Sequence, residues 1–389
     1  MAVLFFIVFL DLIGFGMIVP VLPFYAEHLG IAPSLVILVF GLYSLGQLIG
    51  APLWGTLSDR MGRRPILLAT LAANAAANVL LASADSTVSL AVSRLVAGLA
   101  AGNISTAYAY VTDITSDAER PKALGLLGAA FGLGFIIGPA VGGVLGGSDA
   151  ASANIRGVAL AAALLSALAF VATFARLRES HGPEHRAAHA DQPRGMRWAL
   201  LQRPALRSLL SATLIVMGAV AMLQGTFSMW AAEALGVGPR DLGLVFAFIG
   251  VLAVGIQAGL IGRLSQRYGA ERLTRVGTAL LAVALVFIPL SPTVWVALVP
   301  MAVYAVGSAI FSPSISTMVT RAAGPGERGA VMGLFQGVSS LGRVIGPMAS
   351  SGITAAAGLR VPFWVAAAIS FVGVALLPAD APAAAPGEP

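Results

Sequence analysis

Long apolar stretches recur along the chain, and short polar segments separate them. A helix needs roughly 20 apolar residues to cross the hydrocarbon of a bilayer, and a window of that length finds twelve spans. The predicted spans are 2–25, 35–57, 66–83, 86–111, 121–145, 153–175, 205–230, 241–262, 273–290, 293–318, 328–350 and 361–378. The pattern therefore predicts an all-α membrane protein with twelve transmembrane helices.

Composition supports the same class. Of the 389 residues, 58% are hydrophobic and 10% are charged, whereas a soluble domain carries about 25% charged residues. So few charges cannot cover a compact water-soluble body, which excludes soluble globular and disordered proteins. Cysteine is absent, which excludes disulfides, thiol nucleophiles and thiolate metal sites.

The positions of the basic residues predict the orientation. Eighteen of the 23 Lys and Arg residues lie in alternate connections, and the basic side of a membrane protein faces the cytoplasm. We therefore expect a multi-pass protein of the cytoplasmic (inner) membrane with both termini cytoplasmic. This topology also accounts for the net charge of +6, so no nucleic-acid partner is needed to explain it.

Two sequence matches indicate an internal duplication. The segment 55–62 recurs 207 residues later as 262–269, after the second span of each half. Gly125, Gly134, Gly138 and Pro139 recur 208 residues later as Gly333, Gly342, Gly346 and Pro347. We predict two pseudo-symmetric six-helix bundles, 1–175 and 204–380, joined by a cytoplasmic linker, 176–203, and followed by a tail, 381–389. Parallel repeats of this kind suit alternating access around a site near the midplane.

Two charged residues fall inside predicted spans of the first half. Asp11 lies about ten residues into the first span, where a charge costs about 2.5–3.5 kcal/mol on insertion scales. A partner, a water-filled cavity or protonation must offset that cost, so we expect Asp11 to carry a proton or to contact a cation. Arg94, in the fourth span, stays charged and is expected to position or expel that proton, or to hold an anion or substrate.

The connection between spans two and three carries a dense set of charges and glycines. We expect it to act as a gating loop, in which Asp59–Arg120 or Asp113–Arg60 contacts hold one conformation. The residues assigned to it are Gly55, Asp59, Arg60, Gly62, Arg63, Arg64, Asp113 and Arg120. The basic residues of this loop also keep it on the cytoplasmic side of the membrane, by the positive-inside rule.

Span five is rich in glycine. Gly134, Gly138 and Gly142 recur every four residues, which predicts a groove that another helix can approach. Pro139 bends the helix, and Gly143 follows in the same run. The interface is expected either to slide during transport or to serve static packing.

Other polar residues in the spans are candidates for lining a cavity, or for hydrogen bonding between helices. They are Asn74, Asn78, Asn103, Tyr108, Gln224, Gln257, Tyr304 and Gln336. The linker histidines His181, His185 and His189 have helical spacing, but a mobile polar segment makes a poor metal site. No Walker sequence and no nucleophile–base arrangement occurs, so we expect no ATP use, no enzymatic activity, no cofactor and no metal.

Five motifs resemble one family. Gly55-x-Leu57-x-Asp59-Arg60-x-Gly62-Arg63-Arg64 resembles the loop signature of the major facilitator superfamily. Arg94-x-x-x-Gly98 resembles its fourth-helix motif, and Gly134-x-x-x-Gly138-Pro139-x-x-Gly142-Gly143 its fifth-helix antiporter motif. The segment from Asp11 through Gly14, Gly16 and Pro20 to Pro23 is similar to the first helix of the tetracycline/proton antiporters, and so is Asp113-Ile-Thr-Ser.

The resemblance implies a proton-coupled exporter of a drug, acting by alternating access, with protons and a small molecule as its partners in the bilayer. A monomer is expected. The chain departs from the tetracycline antiporters because the acidic position of helix three is Asn78, and helices eight and nine hold no deep acid or histidine. A more apolar or cationic drug therefore suits the cavity as well as tetracycline does. The alternatives are a proton-linked importer of a sugar or other metabolite, and a non-transporting receptor or assembly factor.

Overall fold

A computed structural model describes residues 2–116, 119–149, 153–180, 200, 202–324 and 327–377, and within these ranges the chain is helical with no strand. The helices of the first half are α1 Ala2–Ile18, α2 Leu22–His28, α3 Pro33–Met61, α4 Arg63–Ala82, α5 Thr87–Ala100, α6 Asn103–Ile114, α7 Arg120–Gly146 and α8 Ile155–Arg176. Those of the second half are α9 Pro204–Leu235, α10 Pro239–Gly259, α11 Ile261–Phe287 with a 3₁₀ turn at Ile288–Leu290, α12 Val294–Arg321, α13 Arg328–Ala357 and α14 Val361–Leu376.

Each predicted span coincides with one helix or with two consecutive ones. Ten helical stretches in the described ranges are long and apolar enough to cross a membrane, and α14 is a shorter apolar helix. The 30-residue α13 covers the remaining predicted span. The prediction of an all-α membrane fold is confirmed.

Two predicted spans are not continuous helices. The first is divided at Pro20, between α1 and α2, because proline has no N–H to donate to the preceding turn. The fourth is divided at Ala101 and Gly102, between α5 and α6. A Cβ on Gly102 would lie 2.8 Å from the carbonyl oxygen of Gly50 on α3. Close packing at that point therefore requires glycine where the helix breaks.

The repeated loop has the same backbone feature in both halves. Gly62, between α3 and α4, has φ of +107°, and Gly269, within a kink of α11, has φ of +75°. Only glycine adopts such values without strain. The two copies of the sequence repeat thus turn the chain at matching positions.

The chain forms two compact units. One comprises Met1–Gln192 and Ala231–Val251, and the other Pro193–Trp230 and Leu252–Pro389. In the first, α1 packs against α7 and α8, α3 against α5, and α4 against α8; in the second, α11 packs against α12 and α14. Residues 181–199 of the predicted linker and the tail 381–389 lie outside the described ranges.

Candidate functional site

The carboxylate of Asp11 is held by two side-chain amides inside the first unit. Asn74 of α4 donates to Oδ1 at 2.7 Å, and Asn103, the first residue of α6, donates to Oδ2 at 2.8 Å. The Asp11 residue is only 7% exposed. Within the described ranges no arginine or lysine forms an ion pair with it. Asp11 is therefore an acidic group in a buried site whose hydrogen-bond donors are neutral.

Arg94 is a second buried charge in the same unit. It is 3% exposed, and its one described hydrogen bond, from Nη2 to Oδ1 of Asn78, is long at 3.5 Å. Its Nε has no hydrogen-bond partner among the described residues. A Cβ on Gly98, one turn further along α5, would lie 2.8 Å from the carbonyl carbon of Tyr43 on α3. Gly98 therefore lets α5 and α3 approach with their backbones nearly in contact.

Helix α4 brings the two buried charges into one polar row. Asn74, which binds Asp11, and Asn78, which faces Arg94, lie four residues apart on α4. Residues at that spacing are neighbours on one helix face, about 5–6 Å apart. Asn74 also donates to the hydroxyl of Ser166 on α8 at 3.2 Å. The structure thus gives Asn74 the contact with Asp11, while Asn78 contacts Arg94.

The remaining candidates for lining a cavity fall into two groups. Asn78, Asn103 and Tyr304 are buried. Tyr108, Gln224, Gln257 and Gln336 are exposed, and the Tyr108 ring stacks on Phe131 with centroids 6.3 Å apart. These residues belong to two separate compact units. That they line one cavity therefore stays a prediction.

Arg63 is the centre of the predicted gating loop. It is buried, its Nε donates to Oδ2 of Asp113 at 3.0 Å, and its Nη1 donates to Asp59 and to Oγ of Ser58. The sequence predicted an Asp59–Arg120 or an Asp113–Arg60 contact; the side chain of Arg120 lies outside the described part of the chain, so its contact stays a prediction. Arg63 bridges both because it begins α4, where its side chain reaches the ends of both α3 and α6.

The start of the predicted linker binds to this same network. The Glu179 carboxylate accepts hydrogen bonds from the backbone N–H groups of Arg63, at 2.8 Å, and Arg64, at 3.1 Å. A Cβ on Gly62 would lie 2.6 Å from a Glu179 oxygen. A carboxylate at the first N–H groups of a helix is favourable. Glu179 therefore caps α4 from a distant part of the sequence, and Gly62 leaves room for it.

The glycine groove of α7 holds α1. A Cβ on Gly134 would lie 2.6 Å from that of Leu12, and one on Gly138 would lie 2.8 Å from the carbonyl oxygen of Ile13. A Cβ on Gly142 would collide with the backbone of Met17. Gly143 lies on another side, where its Cβ would approach the backbone of Pro239, and Pro139 lies within the helix. The helix that carries Asp11 is thus packed backbone to backbone against α7.

The second repeat uses the same packing without the same charges. A Cβ on Gly342 of α13 would lie 2.9 Å from the carbonyl oxygen of Leu214 on α9, and Gly346 faces the backbone of Gly218. The acids of that half within the described ranges, Glu233, Asp241, Glu271 and Glu327, lie at the ends of predicted spans or beyond them. Arg343 donates to the Ser340 hydroxyl at 2.9 Å. Among the described residues, the buried carboxylate is therefore a feature of the first repeat and not of the second.

The sequence reasoning missed Ser58, Ser166 and Glu179, and it gave Asn74 no particular role. Serine is too common in membrane helices to single out, and Glu179 lies in what reads as a mobile linker. Nothing in the sequence pairs a residue near position 180 with Gly62, because that contact depends on how α8 returns beside α4.

A duplicated set of apolar helices with charged groups buried in one repeat is the architecture of a membrane transporter. The chain belongs to the Major Facilitator Superfamily, whose family model matches residues 4–222 and 209–389. It is 30% identical over 367 residues to the tetracycline resistance protein, class G, of Vibrio anguillarum, covering 92% of this chain and 91% of that protein. It is 29% identical to the class C protein of Escherichia coli over 354 residues, covering 89% and 87%.

Solved structures share the fold. The crystal structure of the human organic anion transporter MFSD10 (TETRAN) aligns with a TM-score of 0.70 at 24% identity, covering 97% of this chain and 98% of that one. The nucleoside transporter NupG aligns with a TM-score of 0.77 at 15% identity, covering 97% of each chain. The chain is thus a multi-pass membrane transporter and not an enzyme.

Proposed function

We propose that this transporter is a proton-coupled antiporter that exports a drug, tetracycline-like or otherwise amphipathic, by alternating access. The observation that carries the proposal is the buried Asp11 carboxylate with two amide donors and no described cation partner. A buried charge without a counterion is costly, and binding a proton removes that cost. Asp11 is therefore suited to load a proton on one side of the membrane and release it on the other.

Arg94 has the complementary role. We infer that Arg94 comes closer to Asp11 in one state of the cycle, where its positive charge stabilises the carboxylate and so favours loss of the proton. Asn74 and Asn78, one turn apart on α4, join the two groups within one polar row. In this scheme Arg94 expels the proton once the site opens to the cytoplasm. The network of Asp59, Arg63 and Asp113 forms the cytoplasmic gate.

Similar proteins support export. Two of the relatives at 29–30% identity are named tetracycline resistance proteins. A Bacillus subtilis protein named multidrug resistance protein 2 is 26% identical over 95% of this chain. We propose a place in the cytoplasmic membrane with both termini cytoplasmic, a working monomer, and no use of ATP.

If Asp11 carries one proton per cycle, the energy of that proton limits the concentration gradient of the exported drug. A proton moving through 100 mV supplies about 2.3 kcal/mol, and one pH unit adds about 1.4 kcal/mol. The sum, about 3.7 kcal/mol, sustains a concentration ratio of about 500 for an uncharged cargo. That is sufficient for drug resistance without a second coupling residue.

The test is a susceptibility panel, with tetracycline included, in an efflux-deficient host, followed by efflux from vesicles with and without an uncoupler. We expect resistance to at least one compound, abolished by the uncoupler and by Asp11→Asn. Asp85→Asn makes the same chemical change in an exposed loop and should leave efflux intact. Undiminished proton-driven efflux by Asp11→Asn would remove Asp11 from the coupling mechanism. Proton-driven uptake would indicate an importer instead.

A further inference from the structure

Helix α6 joins the buried carboxylate to the charged loop network. Its first residue, Asn103, binds Asp11, and Asp113, next to its last residue, accepts a hydrogen bond from Arg63. Ten residues separate Asn103 from Asp113, which is about 15 Å along a helix. Ser180 also donates to Asp113, at 3.2 Å. A single 12-residue helix therefore contacts the proposed proton site at one end and the arginine at the other.

The break before α6 separates this helix from α5. Helix α5 ends at Ala100, and Gly102, the residue that precedes α6, makes no side-chain cap. A helix terminus without a cap leaves backbone N–H groups that no helical bond restrains. The turn of Ala101 and Gly102 is therefore the point at which the direction of α6 can change relative to α5, while Gly102 stays packed against Gly50 of α3.

Asn103 has an unused hydrogen-bonding group. Its Nδ2 donates to Asp11, whereas its Oδ1 is buried and has no partner among the described residues. A carboxylate only accepts hydrogen bonds, but a protonated carboxyl must also donate one. Rotation of the Asn103 amide would bring Oδ1 to that new donor, and Asp11 is the one described partner of this amide. The Asn74 amide is held by Ser166 as well as by Asp11, so it is the more restrained of the two.

We propose that Asn103 is a positioning residue that responds to the protonation of Asp11, and that α6 transmits this response to the Asp113–Arg63 pair. The inference rests on the proposed proton coupling. A proton from water forms an O–H bond on Oδ2 of Asp11 and neutralises the carboxylate. The N–H donation of Asn103 to that oxygen is lost, and the Asn103 carbonyl oxygen accepts the new O–H. A neutral hydrogen bond thereby replaces a charge-assisted one, which loosens α6 from α1 and weakens the contact of Asp113 with Arg63.

The neighbouring titratable and charged groups are few. Helix α3 brings Tyr43, Asp59 and Arg60, and α5 brings Arg94. Helix α4 brings Arg63 and Arg64 at its start, where Glu179 also binds, and α6 itself carries Tyr108, Tyr110 and Asp113. The helices α7 and α8, which pack on α1, carry charges only near their ends, at Arg120, Lys122, Arg156 and Arg176. A pH response of α6 that depends on Asp11 therefore distinguishes the proposed path from the charged loop itself.

The absence of cysteine from the sequence makes a clean reporter possible. An environment-sensitive fluorophore is attached at Ile114→Cys, on the last residue of α6, and its emission is followed from acid to mildly alkaline pH in the full-length protein. Ile114 is 42% exposed, which allows labelling. The control reporter is Val88→Cys, which is 72% exposed on α5, before the break.

We expect a pH-dependent step at Ile114→Cys and a much smaller one at Val88→Cys. Asp11→Asn and Asn103→Leu should each remove most of the amplitude, Asn103→Gln should restore part of it, and Asn74→Leu should retain it. Should Asn103→Leu not fold, Asn103→Ala replaces it: this smaller side chain carries neither the amide donor nor the acceptor and does not titrate, and we expect the same loss of amplitude.

A step retained in full by Asn103→Leu, or by Asn103→Ala, would overturn the inference even if Asp11→Asn abolished the step. A step that survives Asp11→Asn would also overturn it, because its origin would lie elsewhere. The proposed function has a separate test: it is wrong if the Asp11→Asn variant still shows full efflux that an uncoupler abolishes. The two failures are therefore distinguishable in the same set of variants.

Discussion

Replacement of Gly142 by alanine should destabilise the protein, whereas the same change at Gly128, on the same helix, should stabilise it. A Cβ at Gly142 would lie 2.6 Å from the carbonyl carbon of Met17, and ordinary contact begins at 3.4 Å, so α1 and α7 must separate by at least the difference, 0.8 Å. A Cβ at Gly128 meets nothing within 4 Å. The two variants thus differ in contact with α1 and hardly at all in chemistry.

The magnitude follows from two opposing terms. Alanine is favoured over glycine in a helix by about 0.8–1 kcal/mol at either position. Overpacking of a close interface costs about 1–3 kcal/mol, and it applies at Gly142 alone because the backbone of Met17 cannot rotate away. We therefore expect Gly142→Ala to be less stable than Gly128→Ala by about 1–3 kcal/mol.

The assay is thermal unfolding of both variants and the parent in one detergent, at one protein concentration and one scan rate. The expected order of midpoints is Gly128→Ala above the parent and the parent above Gly142→Ala. Equal midpoints for the two variants would refute the packing argument, since helix propensity alone would then explain both.

Three further outcomes test the charged contacts. Arg63→Lys should destabilise the protein by about 1.5–3 kcal/mol, the value of a hydrogen bond to a charged group, because one ammonium cannot bridge both acids. Arg60→Lys is the control. Equal thermal midpoints for the two variants would contradict the bridging role of Arg63. Glu179→Gln should speed amide exchange at the first residues of α4 and cost about 0.3–1 kcal/mol, and unchanged exchange would rule out the cap. Hydrogen bonds from Arg203 and from the Gly324 N–H lower the pKa of Glu327 below its ordinary value, so this contact stabilises the protein at neutral pH and is lost as pH falls through that lowered pKa. Glu327→Gln should therefore flatten the acid side of the stability curve, measured as midpoint against pH, and an unchanged curve would show that the pair contributes nothing.

The sequence by itself determined the elements and their duplication. Spans of about 20 apolar residues are fixed by the thickness of the bilayer and not by any neighbour, so hydropathy alone finds the helices. The glycines of α7 were readable because a four-residue repeat of small side chains creates a groove on one helix face whatever lies in it. Asp11 and Arg94 stood out because a charge in a span is costly wherever it lies.

Partners were decided only by the tertiary structure. Asp59 and Asp113 lie 54 residues apart in sequence, and which arginine bridges them depends on where α4 begins relative to the ends of α3 and α6. Asn74 rather than Asn78 contacts Asp11 because the two residues share one face of α4 but lie one turn apart along it, and only Asn74 is level with Asp11. The turn between α5 and α6, and the approach of Glu179 to Gly62, arise from close backbone packing of helices distant in sequence. Hydropathy is a property of each residue, whereas a hydrogen bond needs two groups about 3 Å apart, and only the packed helices fix that distance.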